Sequence, residues 1–292
     1  MANEKITSIK LADEYVSKFL ADHKIENAEN LSRLIISDVL GMSFSKALIK
    51  KPMLTQEECD KIDPICDRVA LGEPVQHVLG HAPFRFLDLH VNRSVLIPRP
   101  ETEMMVDIVS YYFKEHNIKK PLIADVGTGS GCLAISFATE IEDSHVYATD
   151  ISECALEVAK QNAEKYDVED RIDFENCECL DDFDYFQHAK NQFSAIVSNP
   201  PYVPEDEFMK LPINVRSYEP MVALKGGKDG LDIFKKILVQ ARTLIDDDGI
   251  ILFELHETQL KNAKEFALKA GLKKVSIIKD LVGKDRFLAC VG

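Results

Sequence analysis

The spacing of apolar positions changes twice along the chain. Near the N-terminus Ile9, Leu11, Tyr15, Val16, Phe19 and Leu20 recur at helical intervals. Leu31, Leu34, Ile35 and Leu40 do the same, ahead of Gly41, a residue suited to ending a helix. Thr55-Gln-Glu-Glu58 has the form of a capping box and predicts a third helix from Thr55 to about Leu71, stopped at Gly72. Residues 1–83 therefore read as a small helical bundle. From 84 to 97 the period shortens. Phe84, Phe86, Leu87, Leu89, Val91, Val95 and Ile97 predict two strands with a turn near Asn92-Arg93-Ser94, and Pro98 and Pro100 then break the chain. Residues 84–100 are expected to form a β-hairpin linker.

Beyond residue 101 apolar runs alternate with amphipathic stretches. Strands are predicted at 122–126, 145–150, 171–176, 194–198, 250–254, 274–278 and 287–291. Helices are predicted at about 131–140, 153–166, 231–245 and 257–270. Such alternation implies an α/β domain over 101–292, its sheet mostly parallel and covered on both faces.

Composition narrows the class. The 292 residues are 46% hydrophobic and 29% charged, ordinary for a globular chain of about two domains. Lys and Arg number 35 against 49 Asp and Glu, a net charge of −14. Residues 1–100 carry 13 basic and 14 acidic side chains, and the rest carry 22 and 35. An acidic domain argues against a DNA or RNA substrate, because phosphate neutralisation needs Lys and Arg. Asp167 to Asp184 holds nine carboxylates against Arg171 alone. That run reads as a solvated acidic surface, or as a patch that steers a basic protein partner.

No apolar run is long enough for a membrane span, and MANEKITSIK lacks the apolar stretch of a signal peptide. Seven scattered cysteines without a C-x-x-C pair read as free thiols. A cytoplasmic monomer without a metal is expected. His77 and His81 have helical metal-pair spacing, but no third ligand lies nearby, and Gly80 and Pro83 interrupt a helix there. Cys177 and Cys179 read as alternating core or pocket-wall thiols on a strand. Gly226, Gly227 and Gly230 have no following G-K-[ST], so they read as a loop before the 231–245 helix.

Two segments carry candidate chemistry. Asp125-Val-Gly127-Thr128-Gly129-Ser130-Gly131 follows an apolar strand and opens an apolar helix. Glycines allow a tight turn and close approach to a ligand, and the helix N-terminus offers N–H groups to an anion. Asp150, at the end of the next strand, can accept hydrogen bonds from ribose hydroxyls. With Cys132 where the dinucleotide fingerprint has glycine, the loop favours a cofactor without pyrophosphate. S-adenosylmethionine fits, with its carboxylate, ribose and adenine.

The second segment is Ser198-Asn199-Pro200-Pro201-Tyr202, after the fourth predicted strand. Paired prolines remove two backbone donors and leave the carbonyls of Asn199 and Pro200 to face a ligand. With the Asn199 side-chain oxygen they can hold both hydrogens of a planar –NH₂ group, while Tyr202 stacks on its flat face. Acceptors aimed at those hydrogens raise electron density on a nitrogen whose lone pair is delocalised. They also align it with a methyl donor, so no strong base is required.

Together the two segments resemble class I S-adenosylmethionine-dependent methyltransferases of planar amino groups, which include adenine-N6 and glutamine-N5 enzymes. Leu96-Ile-Pro-Arg-Pro-Glu-Thr-Glu103 closely matches the inter-domain segment of the PrmC/HemK family, the release factor glutamine methyltransferases. Gly72-Glu-Pro-Val-Gln-His-Val-Leu-Gly80, Val215-Arg216 with Glu219-Pro220, and Lys279-Asp-Leu with Asp285-Arg286 fit that family too. The resemblance runs from about residue 70 to the end. It implies a five-helix N-terminal domain for substrate recognition, a hairpin linker and a seven-stranded Rossmann-like methyltransferase sheet. It implies methylation of the glutamine side-chain nitrogen in the Gly-Gly-Gln motif of class 1 peptide chain release factors, with S-adenosylhomocysteine as product. Gly127 to Gly131 and Asp150 would then contact S-adenosylmethionine, Cys179 its adenine region, and Asn199 both cofactor and substrate. Pro200, Pro201 and Tyr202 would hold the glutamine amide, with Arg99 and Pro100 helping to close the site. Three alternatives stay open: a ribosomal-protein glutamine methyltransferase, an adenine-N6 DNA methyltransferase, and a non-catalytic S-adenosylmethionine-binding module.

Overall fold

The computed structural model describes residues 8–50, 52–181 and 192–291. The chain divides into two compact units. One comprises residues up to Gly80 with Ile213–Tyr218, and the other His81–Pro212 with Glu219 onward.

The first unit is helical: α1 (Ile9–Asp22), α2 (Ala28–Val39), α3 (Phe44–Lys50), α4 (Gln56–Ala70) and α5 (Val75–Leu79). The Thr55 capping box forms in full. Its hydroxyl accepts the Glu58 amide at 3.2 Å, and the Glu58 carboxylate accepts the Thr55 amide at 2.7 Å. Ile9, Ala12, Val16 and Leu20 of α1 pack with Ile35, Ile36, Ile62 and Cys66 as the unit's core. Leu11 and Tyr15 point outward instead. Tyr15 uses its hydroxyl to reach Asp63 at 2.8 Å. The short helices α3 and α5 are additional to the three that periodicity predicts, since neither is long enough to show a repeat.

The second unit starts with a hairpin, β1 (His81–Phe84) and β2 (Leu87–His90), so the segment expected as a linker lies within it. The turn between the strands is Arg85-Phe86, not the expected Asn92-Arg93-Ser94. Arg85 adopts φ 52°, held there by Glu103, which accepts its backbone amide at 3.0 Å, and by Glu140, which accepts its guanidinium at 2.7 Å. Partners far along the chain thus supply the turn. Asn92 does form an Asx turn, its side chain accepting the Ser94 amide at 2.8 Å, but this turn follows β2 rather than joining strands.

The main sheet has seven strands: β3 (Leu122–Val126), β4 (His145–Asp150), β5 (Ile172–Asn176), β6 (Phe193–Ser198), β7 (Ile245–Glu254), β8 (Lys274–Lys279) and β9 (Asp285–Val291). Their order is β5-β4-β3-β6-β7-β9-β8; β9 runs antiparallel to both neighbours, and the other pairings are parallel. Helices α6 (Glu103–Glu115), α7 (Cys132–Glu140), α8 (Glu153–Lys165), α10 (Asp232–Leu244) and α11 (Leu260–Lys269) accompany it, while α9 (Ile213–Arg216) belongs to the first unit. Ile123–Val126 of β3 are buried without alternation, as central parallel strands require.

β7 starts five residues before its predicted start. Phe193 pairs with Ile245, and the register then jumps so that Ala195 pairs with Ile250. Asp246, Asp247 and Asp248 are exposed within that irregularity, which is why they read as loop. The acid-rich run is exposed in large part up to Asp181; its residues 182–184 lie outside the described residues. Among the described residues no helix is long and apolar enough to cross a membrane, and no cluster of His, Cys, Asp and Glu suits a metal.

Candidate active site

The strand order reverses between β3 and β6, because the chain winds outward through β4 and β5 and then returns. Open α/β sheets bind ligands at such a switch point, beyond the C-terminal strand ends. Both candidate segments leave the sheet there. Ser198 at the end of β6 donates its hydroxyl to the Val126 carbonyl at the end of β3, at 2.7 Å.

The glycine loop is folded by its own residues. Gly127, Gly129 and Gly131 have φ of 76°, 58° and 82°. A Cβ on Gly131 would also meet Ile135 at 3.0 Å and Ala159 at 3.2 Å, so that glycine serves close packing between α7 and α8. Asp125 is buried and accepts the Thr128 hydroxyl at 2.7 Å and the Ala134 amide at 3.1 Å. Burial pushes its carboxyl up to about 7 against those two hydrogen bonds. Asp150 accepts the Gly129 amide at 3.0 Å and the Ser152 amide at 2.9 Å, each oxygen keeping acceptor capacity. Burial raises its pKa as well. Asn162 of α8 is fully buried and donates to the carbonyls of Ser130 and His90, both at 2.9 Å, tying the loop to the hairpin.

A cleft with an open volume of about 970 Å³ runs past this loop. Gly127, Gly129, Asp150, Cys177, Cys179, Asn199, Pro200 and Pro201 all line it. Thr128, Ser130 and Gly131 sit behind the lining, where Thr128 and Ser130 are buried. Cys177 and Cys179 are not on a strand: β5 ends at Asn176, and Cys179 sits in a bend at φ 59°. Its carbonyl accepts the Thr149 hydroxyl at 2.9 Å, and burial lifts its thiol to about 11, so it serves as a neutral wall. The cleft combines glycine-loop backbone, the Asp150 carboxylate and apolar Ile151, Ala155, Ile233 and Ile237. That donor set fits an adenosine with a carboxylate-bearing tail, as S-adenosylmethionine has.

The Asn-Pro-Pro-Tyr segment is strapped from one side. Val203 forms a bridge with Lys225, and Gly226 donates to the Val203 carbonyl at 3.0 Å. A Cβ on Gly226 would lie 2.5 Å from the Pro201 carbonyl oxygen and 2.8 Å from the Tyr202 Cα. The glycine cluster at 226–230 is therefore a cradle for this segment. Gln259 holds the Tyr202 carbonyl at 2.7 Å. Tyr202 is half-buried and outside the cleft lining; burial, then the Glu254 charge, pushes its phenol up to about 12, so it stays protonated and is a poor base at neutral pH. Arg99 and Pro100 also lie outside the lining.

Three residues, Thr102, Glu254 and Glu219, have no role in the sequence reading, although Thr102 and Glu219 lie in segments that match the family. Asn199 donates its side-chain amide to the Thr102 hydroxyl at 3.2 Å, and Thr102 donates to the Glu254 carboxylate at 2.7 Å. Glu219, 6% exposed, accepts Arg99. A carboxylate closing the apolar run Ile250–Phe253 was the available signal for Glu254.

A mostly parallel sheet of this order, with a glycine loop and an Asn-Pro-Pro-Tyr segment meeting at its switch point, defines a class I methyltransferase. Residues 103–211 match the methyltransferase small domain, and residues 14–80 match the PrmC N-terminal domain. The release factor glutamine methyltransferase of Chlorobaculum tepidum is 33% identical over 297 residues, covering 100% of both chains. That of Clostridium acetobutylicum is 35% identical over 218 residues, 75% of each chain. The chain belongs to the release factor glutamine methyltransferase family. Among solved structures, the N-terminal domain of human METTL16 in complex with SAH superposes with a TM-score of 0.52 at 18% identity, covering 70% of this chain and 75% of that one. That likeness concerns the fold alone.

Proposed function

We propose that this chain transfers a methyl group from S-adenosylmethionine to the side-chain nitrogen, N5, of the glutamine in the Gly-Gly-Gln motif of class 1 peptide chain release factors. One observation carries the reading: Asn199, Pro200 and Pro201 line the same cleft as Gly127, Gly129 and Asp150. A methyl donor held by the latter and a planar amide held by the former would meet in that cleft. The names borne by the full-length relatives support the choice of substrate.

The bound cofactor supplies an electrophilic methyl group. The residues of the chain do the rest by orientation. Asp150 accepts from ribose hydroxyls, and the Gly127–Gly131 loop receives the carboxylate-bearing tail, with Cys179 against the adenine. The Asn199 side-chain oxygen and the Pro200 carbonyl accept the two amide hydrogens of the substrate glutamine. That holds the nitrogen in line and raises its electron density, while Pro201 confines the flat group and Tyr202, next to it but outside the cleft lining, would have to turn inward to stack on it. The nitrogen loses one proton to water, since Tyr202 is no base at neutral pH. Arg99 and Pro100 close the site by bracing the segment before α6. The helical unit recognises the body of the release factor, and the enzyme acts as a cytoplasmic monomer.

The test is transfer of labelled methyl from S-adenosylmethionine to a purified class 1 release factor. The wild-type factor should accept one methyl group and its Gln→Ala Gly-Gly-Gln variant none. Equal labelling of both, or labelling of ribosomal particles or DNA in their place, would overturn the reading.

A further inference from the structure

We propose that Glu254, acting through Thr102, sets which end of the Asn199 side-chain amide faces the substrate. The inference rests on the function proposed above and assigns two positioning residues to it. Its basis is the polarity of a buried three-member chain.

The sheet brings the ends of that chain together. Ser198 of β6 pairs with Phe253 of β7. The next residues, Asn199 and Glu254, thus leave adjacent parallel strands side by side. Thr102 comes from elsewhere: it closes the helical turn Pro100–Thr102 that leads into α6. Thr102 and Glu254 are each 2% exposed, so water has little access to stand in for either partner.

Hydrogen count then fixes direction. Above about pH 7, where Glu254 is ionised, its carboxylate only accepts, and a threonine hydroxyl has one proton. That proton goes to Glu254 at 2.7 Å. Toward Asn199 the Thr102 oxygen can then only accept, at 3.2 Å, and of the two ends of an amide only –NH₂ donates. The oxygen of Asn199 is thereby turned the other way, as an acceptor. Without the chain the two amide orientations are nearly isosteric, and one of them presents –NH₂ to a substrate –NH₂, donor against donor. A neutral glutamine at 254 keeps an acceptor for Thr102, whereas leucine keeps none. Charged and titratable groups facing Glu254 are Arg286, Arg99, Glu101, Tyr202 and Cys132.

The test compares Thr102→Val, Thr102→Ser, Glu254→Leu and Glu254→Gln in the full-length enzyme at about pH 8, where Glu254 is ionised. The readouts are kcat and KM for the release factor, calorimetric Kd for S-adenosylmethionine, and hydrogen exchange of the Asn199 side-chain amide by NMR. Valine and leucine are expected to lower kcat about tenfold or more while the cofactor Kd stays within roughly twofold. Serine and glutamine are expected to keep kcat within about threefold. The Asn199 amide hydrogens should be protected in wild type, Thr102→Ser and Glu254→Gln, and unprotected in the other two. Thr102→Val is nearly isosteric and carries the test if Glu254→Leu fails to fold. The inference is overturned if Thr102→Val retains kcat within about twofold, if Glu254→Gln falls as far as Glu254→Leu, or if Asn199 protection ignores the substitutions. A wild-type enzyme that leaves release factor unmethylated overturns the function instead, and the exchange data still decide the chain's polarity.

Discussion

The Arg99 guanidinium reaches both carboxylate oxygens of Glu219, at 2.7 and 2.8 Å. Glu219 is nearly sealed from solvent, and burial raises its pKa while Arg99 opposes that. The pair joins the Leu96–Glu103 segment to the start of the loop that cradles Asn-Pro-Pro-Tyr. Removing one partner strands the other. Arg99→Ala should therefore cost about 3 kcal/mol of unfolding free energy, by leaving a buried carboxylate without its counter-charge. Glu219→Gln should cost less, because Arg99 is partly exposed and can turn to water. Denaturant titration of both variants checks the order; equal losses would show that the carboxylate is not stranded.

Gly226 tests the cradle. Its φ is not in the left-handed region, so the penalty for alanine is contact alone. A methyl group 2.5 Å from the Pro201 carbonyl oxygen must displace the backbone of the acceptor turn. Gly226→Ala should lower kcat by roughly a hundredfold, the scale of an ångström's misplacement of a reacting group. Cofactor affinity should change far less, because Gly127, Gly129 and Asp150 lie on other strand ends. Single-turnover kinetics with a separate binding titration distinguishes the two effects; a loss confined to cofactor binding would contradict the cradle.

Asn199→Ala removes the acceptor itself. A drop in kcat of several hundredfold is expected, on the order of deleting one preorganised polar contact to the transition state. S-adenosylmethionine should still bind at least in part. A rate within about tenfold of wild type would contradict the assigned role.

The sequence carried much of this site and missed its supports for one reason. Gly127–Gly131, Asp150 and Asn199–Tyr202 are local in sequence, and each segment adjoins a strand whose apolar run is legible. The supports are pairings across long separations: Thr102 with Glu254, Arg99 with Glu219, Asn162 with Ser130. No periodicity marks a lone polar residue as buried. Helix α6 was also missed, although Met105, Val106, Val109 and Phe113 lie on its buried face at helical spacing. Pro98 and Pro100 mark a break just before it. Likewise Arg85 turns the hairpin because Glu103 and Glu140 hold it, and neither is near it in the chain.

Asp125 and Glu254 make stability depend on pH in an unusual direction. Burial pushes both carboxyls up to about 7, from ordinary values of 3.8 and 4.5. Between those values and about 7 the folded chain binds protons that the unfolded chain releases. The penalty for burying the charge is then complete above pH 7 and fades as pH falls. Stability should accordingly decline from about pH 4.5 to 7 and level off above that, each group contributing up to about 1.4 kcal/mol per pH unit inside its window. Asp150 and Glu219 are shifted the same way and add to the slope. Asp229 and Asp280 are shifted down, so their contribution is lost only below the ordinary carboxylate range. Glu254→Gln and Asp125→Asn keep acceptors for Thr102 and for Thr128 with Ala134 while removing the charge. Each should flatten the slope, and the double variant should flatten it further. Urea titrations at half-unit pH steps measure this directly. A wild-type curve that rises toward pH 7, or variant slopes equal to the wild type's, would show that the two carboxyls do not carry their protons into the fold.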